Sequence, residues 1–485
     1  MDVNILHNAL ICDHGNQLNI ADIYFTDKIK DIKLKQQRAL QWKDISDKND
    51  HFNYKKTFKK SPHPSNGQNF EAEGLLCIPG AIDGHVHFST PGFEFREDFE
   101  HASCAAACGG VTTVIDMPCT SIPPVTSAAN LQTKLVQLKN RSLIDYALWG
   151  GVSANMFSNT RIPKQEIAEL SDACVVGFKV YLISGMPEFG AVDLNQMLTL
   201  AGLIGETGLP LAVHAEHPDL VTQRQARLEK ENKTDWRAYC ESRDVLAETL
   251  AVAQIREIAA SSRCRMHIVH LSSQRGVQLV REARAEQIPL SAETCPHYLN
   301  FTQKDFARED ISVYLKTAPP VKFEQDRQAL WEGLNDGTLS FITTDHAGCI
   351  PEQEKSSDNF WEIYGGIPGV QHRVSFMLSE GFKKGRLTLQ KTIELLSTNV
   401  AEYFGIANRK GSLGIGKDAD FVVMDLWKSQ KITAADMQSK GKYTPFEGMT
   451  FNAVVEQTWL RGKLISQHGK PVNLDYGYGR WLKRN

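Results

Sequence analysis

The sequence predicts an α/β fold, a (β/α)8 TIM-like barrel with a small β-sandwich domain formed from both chain ends. Eight short runs of apolar and β-branched residues recur between positions 75 and 347, and amphipathic stretches separate most of them. That alternation is typical of parallel strands joined by helices, and eight is the strand count of this barrel. Further alternating runs stand before and after this region, where they predict the small domain.

The eight predicted strands follow one another along the central part of the chain. Stretches such as AANLQTKLVQLKN, VDLNQMLTLAGLIGETG and GVQLVREARAEQ lie between them, and their apolar spacing predicts helices. An open, doubly wound sheet is the alternative, but no GxGxxG motif follows an early strand. The strands are LCIPGAIDGHVHF, TTVIDM, DYALWGGV, CVVGFKVY, LPLAVHA, RMHIVHLS, IPLSAET and LSFITTDHA.

Both chain ends predict short strands outside the barrel. NILHNALI and NIADIYF stand near the start, and GSLGIGKDADFVVMDL and VVEQTWLRGKLI stand near the end. They predict one small β domain built from residues 1–77 and 401–485, beside a barrel domain at residues 78–400. Residues 44–70 are polar and rich in lysine, with Pro, Ser, Asn and Gly among them, which predicts a surface insertion.

Composition is that of a soluble globular protein, with 42% hydrophobic and 23% charged residues in a chain of 485. A formal net charge of −3 gives no bulk attraction to nucleic acid or to an anionic membrane, and no apolar run is long enough to span a bilayer. The first residues lack a basic segment, so we expect no signal peptide. The ten cysteines are scattered, which predicts reduced thiols in the cytoplasm.

Polar residues end five of the eight predicted strands, and active sites of such barrels collect at the carboxyl ends of the strands. Each of these residues alone has an ordinary structural explanation, but their coincidence at five strand ends favours a metal centre. The two histidines of the first strand stand two residues apart, so both point to the same side of it. The residues are His85 and His87, Lys179, His214, His270 and Asp345.

Lys179 needs a separate account because an ammonium group is not a metal ligand. Burial and nearby cations favour the neutral amine, which can add CO2 to form a carbamate. A carbamate has two oxygens and a negative charge, so it can bridge two divalent ions held by imidazoles, and this set of donors suits zinc. Asp345 could ligate one ion and act as general base, then as general acid toward a leaving nitrogen.

Together these motifs resemble the amidohydrolase superfamily, in its cyclic-amide branch of dihydroorotases, allantoinases and hydantoinases. The likeness runs from about Ile78 to the C-terminus, through PGAIDGHVHF, GFKVYL, VHAE, HIVHLS, ETCPHYL, APPVK, TTDHA and KGSLGIGKDADFVVMD. It implies hydrolysis of a ring amide by a homo-oligomer, a tetramer or a dimer. The roles it implies are His85, His87 and Asp345 at the first metal, His214 and His270 at the second, and carboxylated Lys179 as the bridge.

The resemblance is strongest to allantoinases, in LWGGV, YLISGMPEF, ETCPHYLNF and GGIPGVQ, although their usual MPLN is MPCT here. Hydantoinases and dihydropyrimidinases carry a tyrosine five residues after the lysine, where Ser184 stands. Dihydroorotases hold the substrate carboxylate with an arginine after HxHF and an asparagine in MPNT, where this chain has Ser89 and Cys119. The loss of that charge-assisted bond argues against dihydroorotate, unless Arg96 or Lys322 replaces the arginine.

The predicted function is therefore the opening of a cyclic amide or ureide ring, with allantoin to allantoate favoured. A dihydroorotase, or a hydrolase of another cyclic imide or hydantoin, is the alternative. A non-catalytic scaffold of the same fold is a further one, because some relatives in this branch have lost their metal ligands. Only a small-molecule substrate is expected as ligand, without nucleic acid or membrane. The residues expected to line the substrate pocket are Ser184, Glu216, His297, Ala318 and Gly365.

Overall fold

The computed structural model describes residues 2–35, 40–47, 67–473 and 475–484. Most of the predicted insertion at 44–70 lies outside the described residues. The N-terminal strands are β1 (Asn4–Cys12), β2 (Leu18–Phe25), β3 (Ile29–Leu34), β4 (Asn69–Glu71) and β5 (Leu76–Pro79). The central strands are β6 (Ala81–His87), β7 (Val111–Asp116), β8 (Asp145–Leu148), β9 (Gly150–Gly151), β10 (Phe178–Tyr181), β11 (Leu211–His214), β12 (Met266–Ile268), β13 (Leu290–Thr294), β14 (Phe341–Ile342) and β15 (His346–Ala347). The C-terminal strands are β16 (Phe421–Asp425), β17 (Gln430–Lys431), β18 (Thr450–Phe451), β19 (Val454–Leu460), β20 (Lys463–Gln467) and β21 (Lys470–Pro471).

The central strands confirm the predicted barrel. They form two parallel sheets, β9 to β14 in sequence order and β15-β6-β7-β8. Only Trp149 separates β8 from β9, and three residues separate β14 from β15, so each pair is one interrupted strand. The last strand returns to the first, because His346 pairs with Val86 in parallel register. The eight predicted strands therefore occupy eight positions around the barrel.

Helices follow most barrel strands, and the three amphipathic stretches named above are all helical. Side-chain caps begin several of them; the carboxylate of Asp193, for example, accepts from the backbone N–H of Gln196. None of the described helices is long and apolar enough to cross a membrane. The α-helices are α1 (Phe99–Cys108), α2 (Ala128–Leu138), α3 (Lys164–Asp172), α4 (Leu194–Gly205), α5 (Pro218–Lys230), α6 (Trp236–Ser242), α7 (Val245–Ser262), α8 (Gln274–Ala285), α9 (Pro296–Asn300), α10 (Glu324–Asp336), α11 (Pro351–Glu354), α12 (Arg373–Phe376), α13 (Leu389–Ile393) and α14 (Asn399–Tyr403).

Strands from both chain ends share one nine-stranded sheet, in the order β21-β20-β19-β16-β5-β1-β2-β3 with β4 also paired to β1. The stretch LCIPGAIDGHVHF, predicted as the first barrel strand, forms two strands. The first, β5, pairs with β16 in the terminal sheet, whereas the second, β6, belongs to the barrel. Gly80 stands at the division, and a Cβ atom there would lie 2.2 Å from Oγ1 of Thr112. The Thr112 side chain therefore leaves no room for a side chain at this point, and glycine fits it.

A buried ionic cluster joins the barrel to the terminal sheet. The Nζ atom of Lys410 lies 2.6 Å from Asp145 of β8, 2.9 Å from Asp418 and 2.6 Å from Asp420. Arg461, which follows β19, pairs with the other oxygen of Asp145. The three carboxylates lie close enough together to hold a metal ion, but the Lys410 ammonium already lies among them.

We predict that Lys410→Met lowers the free energy of unfolding by about 3–5 kcal/mol, because it leaves buried carboxylates without their cation. Urea denaturation followed by tryptophan fluorescence measures the change. Lys463→Met is the matched control, since its pair with Asp475 is exposed and about 0.5 kcal/mol or less is expected there. Equal midpoints for the two variants would contradict a structural role for the cluster.

Candidate metal centre

The six strand-end residues predicted as ligands meet at one end of the barrel. His85 and His87 lie on β6, Lys179 lies on β10, and His214 ends β11. His270 lies two residues after β12, and Asp345 lies in the gap between β14 and β15. All except Asp345 are buried, and its side chain is only 16% exposed.

The first group of donors is formed by His85, His87 and Asp345. Oδ1 of Asp345 lies 3.1 Å from Nε2 of His85 and 3.2 Å from Nε2 of His87. The ligand atoms of the three residues lie within 4.8 Å of one another, which suits a single metal ion. Although burial lowers the pKa of His87, its contacts with Cys119 and Asp345 raise that pKa to about 10, so an ion that binds there displaces a proton.

The second group is formed by His214 and His270. Nδ1 of His214 lies 3.0 Å from Nε2 of His270, and the ring of His270 lies 5.6 Å from that of His85 between centroids. Burial lowers the pKa of His214, and it holds that of His270 well below its usual value, with the neighbouring His214 as a further cause. Both imidazoles are therefore neutral at neutral pH, the state that metal binding requires.

Lys179 lies between these groups without a hydrogen-bond partner for Nζ among the described residues. The side chain is fully buried, and burial lowers its pKa to about 8 even though nearby carboxylates and thiols oppose this. Nδ1 of His270 is also buried and lacks a partner within the described part of the chain. Buried polar atoms without partners are costly, so the donor set fits a site that is completed by metal ions.

Two buried carboxylates orient the imidazoles from behind. Glu293 of β13 accepts from Nδ1 of His85 at 2.7 Å and contacts Nε2 of His267 at 3.2 Å. Glu216 contacts Nε2 of His214 at 2.9 Å, so it lies behind this ring, whereas we expected it to line the pocket. Such carboxylates fix the ring tautomer of metal-binding histidines and raise their basicity. Glu293 was missed, although its place on the seventh barrel strand was a usable signal.

The backbone is strained at two of the candidate ligands. His270 has φ of 42° and Asp345 has φ of 49°, in the left-handed region that residues other than glycine avoid. Each such residue costs about 1–3 kcal/mol, and strain of this kind clusters at functional sites. The chain therefore accepts an energetic cost to bring these two side chains to the centre of the barrel end.

A cavity of about 240 Å³ opens above the donors. Ser184, Ala318 and Gly365 line it, as the sequence predicted, whereas His297 is buried and is not among the lining residues. Sequence reasoning missed several other lining residues, because most of them come from loops whose course the strand pattern does not define. These are Thr120, Tyr181, Ile183, Gly185, Met186, Arg243, Thr317, Ala347 and Tyr364.

Two buried lysines hold the loop that brings Tyr364 and Gly365 to the cavity. Nζ of Lys316 donates to the backbone carbonyls of residues 360, 361 and 363. Nζ of Lys355 donates to those of residues 313, 364 and 366. Each ammonium thus binds three carbonyl oxygens, and the loop has a defined position over the donors.

Comparisons with known proteins identify the family and the similar folds. Residues 76–465 match the Amidohydrolase family. An allantoinase of Rubrobacter xylanophilus is 35% identical over 407 residues, which are 84% of this chain and 87% of that protein. An L-hydantoinase of Paenarthrobacter aurescens is 32% identical over 418 residues, 85% of this chain and 89% of that protein. The solved L-hydantoinase (dihydropyrimidinase) from Arthrobacter aurescens has a TM-score of 0.88 and 29% identity, and the match covers 100% of both chains.

The family match covers most of the chain, the relatives extend over nearly its whole length, and the barrel end gathers imidazoles, a carboxylate and a buried lysine as the strand pattern predicted. Members of this family generally use a binuclear metal centre. The chain belongs to the amidohydrolase family.

Proposed function

We propose that this protein opens the ring amide of allantoin to give allantoate. The observation that carries the choice of substrate is the charge of the cavity wall. Arg243 is the only lysine or arginine among the described residues that line the cavity. The buried Glu216 pairs with it and neutralises its charge. A cavity without a free cation suits an uncharged ring with a ureido tail, and the allantoinase relatives support the same substrate.

The two cations that could replace the arginine of a dihydroorotase are engaged elsewhere. Arg96 pairs with Glu354 at 2.6 Å and covers the ring of Tyr364, so it lies outside the cavity lining. Lys322 is buried and donates to the backbone carbonyls of Arg243 and Pro320. Neither is available for a substrate carboxylate, which weakens the dihydroorotase alternative.

The donor set would hold two divalent ions, for which zinc is our proposal, in the arrangement implied by the family resemblance. Ions held by these residues would supply Lewis-acid polarisation of the ring carbonyl and a lower pKa for the attacking water. Asp345 accepts the proton of that water and returns it to the ring nitrogen as the C–N bond breaks. Glu293 and Glu216 keep His85 and His214 in the orientation that the ions need.

Lys179 is proposed to react with CO2 through its neutral amine, forming an N–C bond and releasing one proton. The resulting carbamate would supply two oxygens as metal ligands. Support comes from the buried Nζ atom without a partner among the described residues and from the pKa of about 8. The convergence of the six candidate donors at one end of the barrel supports a catalytic protein over the scaffold alternative.

Hydantoin hydrolysis is the second candidate, because an L-hydantoinase matches over the full length of both chains. We further propose a cytoplasmic homo-oligomer, a dimer or a tetramer; analytical ultracentrifugation measures its size. The domain bounds at residues 77 and 400 also remain a proposal, which limited proteolysis can test.

We predict that the metal-loaded enzyme hydrolyses allantoin with the highest kcat/KM among allantoin, hydantoin, dihydrouracil and dihydroorotate. Dihydroorotate should be at least about tenfold poorer, because an unpaired carboxylate forgoes a charge-assisted bond worth about 1.5–3 kcal/mol. Steady-state assays on all four compounds provide the measurement. A preference for dihydroorotate would contradict the argument from the cavity charge.

Asp345→Asn should lower kcat by about 10²–10⁴-fold, because the amide cannot accept the proton of the attacking water. The asparagine still offers an oxygen to a metal, so we expect most of the metal to remain bound, as elemental analysis can show. Asp310→Asn, a change at an exposed aspartate, is the control for loss of a charge. Near-normal turnover in Asp345→Asn would remove Asp345 from the role of base.

Lys179→Ala should lose bound metal and turnover together, because the bridging oxygens are gone. Added acetate or propionate should restore part of both, since a small carboxylate can occupy the space left by the side chain. Metal content and kcat are measured with and without the acid, with the surface variant Lys139→Ala as control. Full metal occupancy without a response to the acid would refute the carbamate.

A further inference from the structure

Tyr181 lies at the wall of the cavity, close to the candidate metal ligands. It is the last residue of β10, two residues beyond Lys179, and it lines the cavity together with His87 and Asp345. The following inference rests on the proposed function, because it assigns this tyrosine a role in ring opening.

The ring of Tyr181 is fixed by contacts on several sides. It stacks on the imidazole of His214 at 5.3 Å between centroids and an angle of 28°. Phe189 packs edge-on at 5.8 Å, and Nζ of Lys179 lies 4.9 Å from the ring centroid. A ring held in this way leaves its hydroxyl one position, so the donor is oriented before a substrate arrives.

The hydroxyl of Tyr181 has a weak partner. Its oxygen lies 3.2 Å from Sγ of Cys119, which is 3% exposed and also lines the cavity. Sulfur is a poor hydrogen-bond acceptor, so the hydroxyl loses little when its hydrogen turns to a stronger acceptor. The thiol therefore orients the hydroxyl between turnovers through a hydrogen bond that is easily exchanged.

Three other polar side chains of the cavity wall also have partners. Oγ1 of Thr120 lies 3.1 Å from Nδ1 of His87, and Arg243 pairs with Glu216. Oγ of Ser184 accepts from the backbone N–H of Met186 at 3.1 Å. Among these groups, the Tyr181 hydroxyl combines a sulfur partner with a ring that packing holds in one orientation.

Ring opening creates a need for such a donor. When water attacks the ring amide, negative charge develops on the carbonyl oxygen, and preoriented donors that face this oxygen stabilise the transition state. We propose that the Tyr181 hydroxyl donates a hydrogen bond to this oxygen while keeping its proton, and that Cys119 is the positioning residue that holds the hydroxyl between turnovers. Tyr181 would then act on turnover more than on substrate binding.

Tyr181→Phe tests the inference because it removes one oxygen and retains the ring that packs on His214. We expect kcat to fall by about 10²–10³-fold, the effect of losing one such donor, while KM changes by less than about threefold. Metal content and melting temperature should equal those of the wild type. Tyr403→Phe is the matched control, since that hydroxyl contacts Oγ of Ser291 away from the cavity lining and its loss should leave kcat unchanged.

A kcat within threefold of the wild type in Tyr181→Phe would overturn the role of the hydroxyl. The comparison is made on whichever panel compound the wild type hydrolyses fastest, so a wild type that prefers hydantoin contradicts the proposed substrate alone. A fall in kcat/KM of Tyr181→Phe that accompanies loss of metal would instead assign Tyr181 a packing role. That result would also overturn the inference.

Cys119→Ser tests the positioning residue separately. A serine hydroxyl is a stronger partner than a thiol, so it should retain the Tyr181 hydroxyl in the ground state and lower kcat by roughly threefold to tenfold at unchanged metal content. An unchanged or increased kcat would refute the role of the thiol, whereas the Tyr181→Phe result would still stand.

Discussion

Polar side chains that are buried at the barrel end must find partners, and this requirement governs the centre of the protein. Parallel strands deliver their last residues to one small region, so imidazoles, carboxylates and an amine meet there largely shielded from water. Glu293 and Glu216 satisfy the outward-facing nitrogens of His85 and His214, and Asp345 faces the inward-facing nitrogens of His85 and His87. The donors that remain without partners among the described residues point to bound ions as the missing component.

Two buried lysines show how surroundings decide what one residue type does. Lys410 has three carboxylates within 3 Å, and despite burial they raise its pKa, so it is a permanent internal cation that joins the barrel to the terminal sheet. Lys179 is equally buried but has no such partner in the described structure, and its pKa falls to about 8. The first lysine is suited to hold domains together, and the second is suited to react as an amine.

The choice of substrate depends on which charges reach the cavity. Arg96 and Lys322 could each satisfy a carboxylate as far as the sequence shows, yet Arg96 is paired with Glu354 and Lys322 is bonded to backbone carbonyls. Arg243, which the sequence did not predict in the cavity wall, lines the cavity, but its charge is paired with that of Glu216. Among the described residues that line it, the wall is thus polar without a free lysine or arginine charge, which favours a neutral ring over an acidic one.

The sequence by itself determined the barrel, the shared terminal sheet and the six residues that meet at the strand ends, because strand period and strand order are local patterns that a linear chain displays. Only the tertiary structure decided which side chains lie behind these six residues and which ones line the cavity above them. Glu293 lies far from His85 along the chain, and Cys119 and Tyr181 meet only because β10 and the loop after β7 end at the same side of the barrel. Contacts of this kind depend on how loops and strand ends converge in space, and no spacing along the sequence encodes that distance.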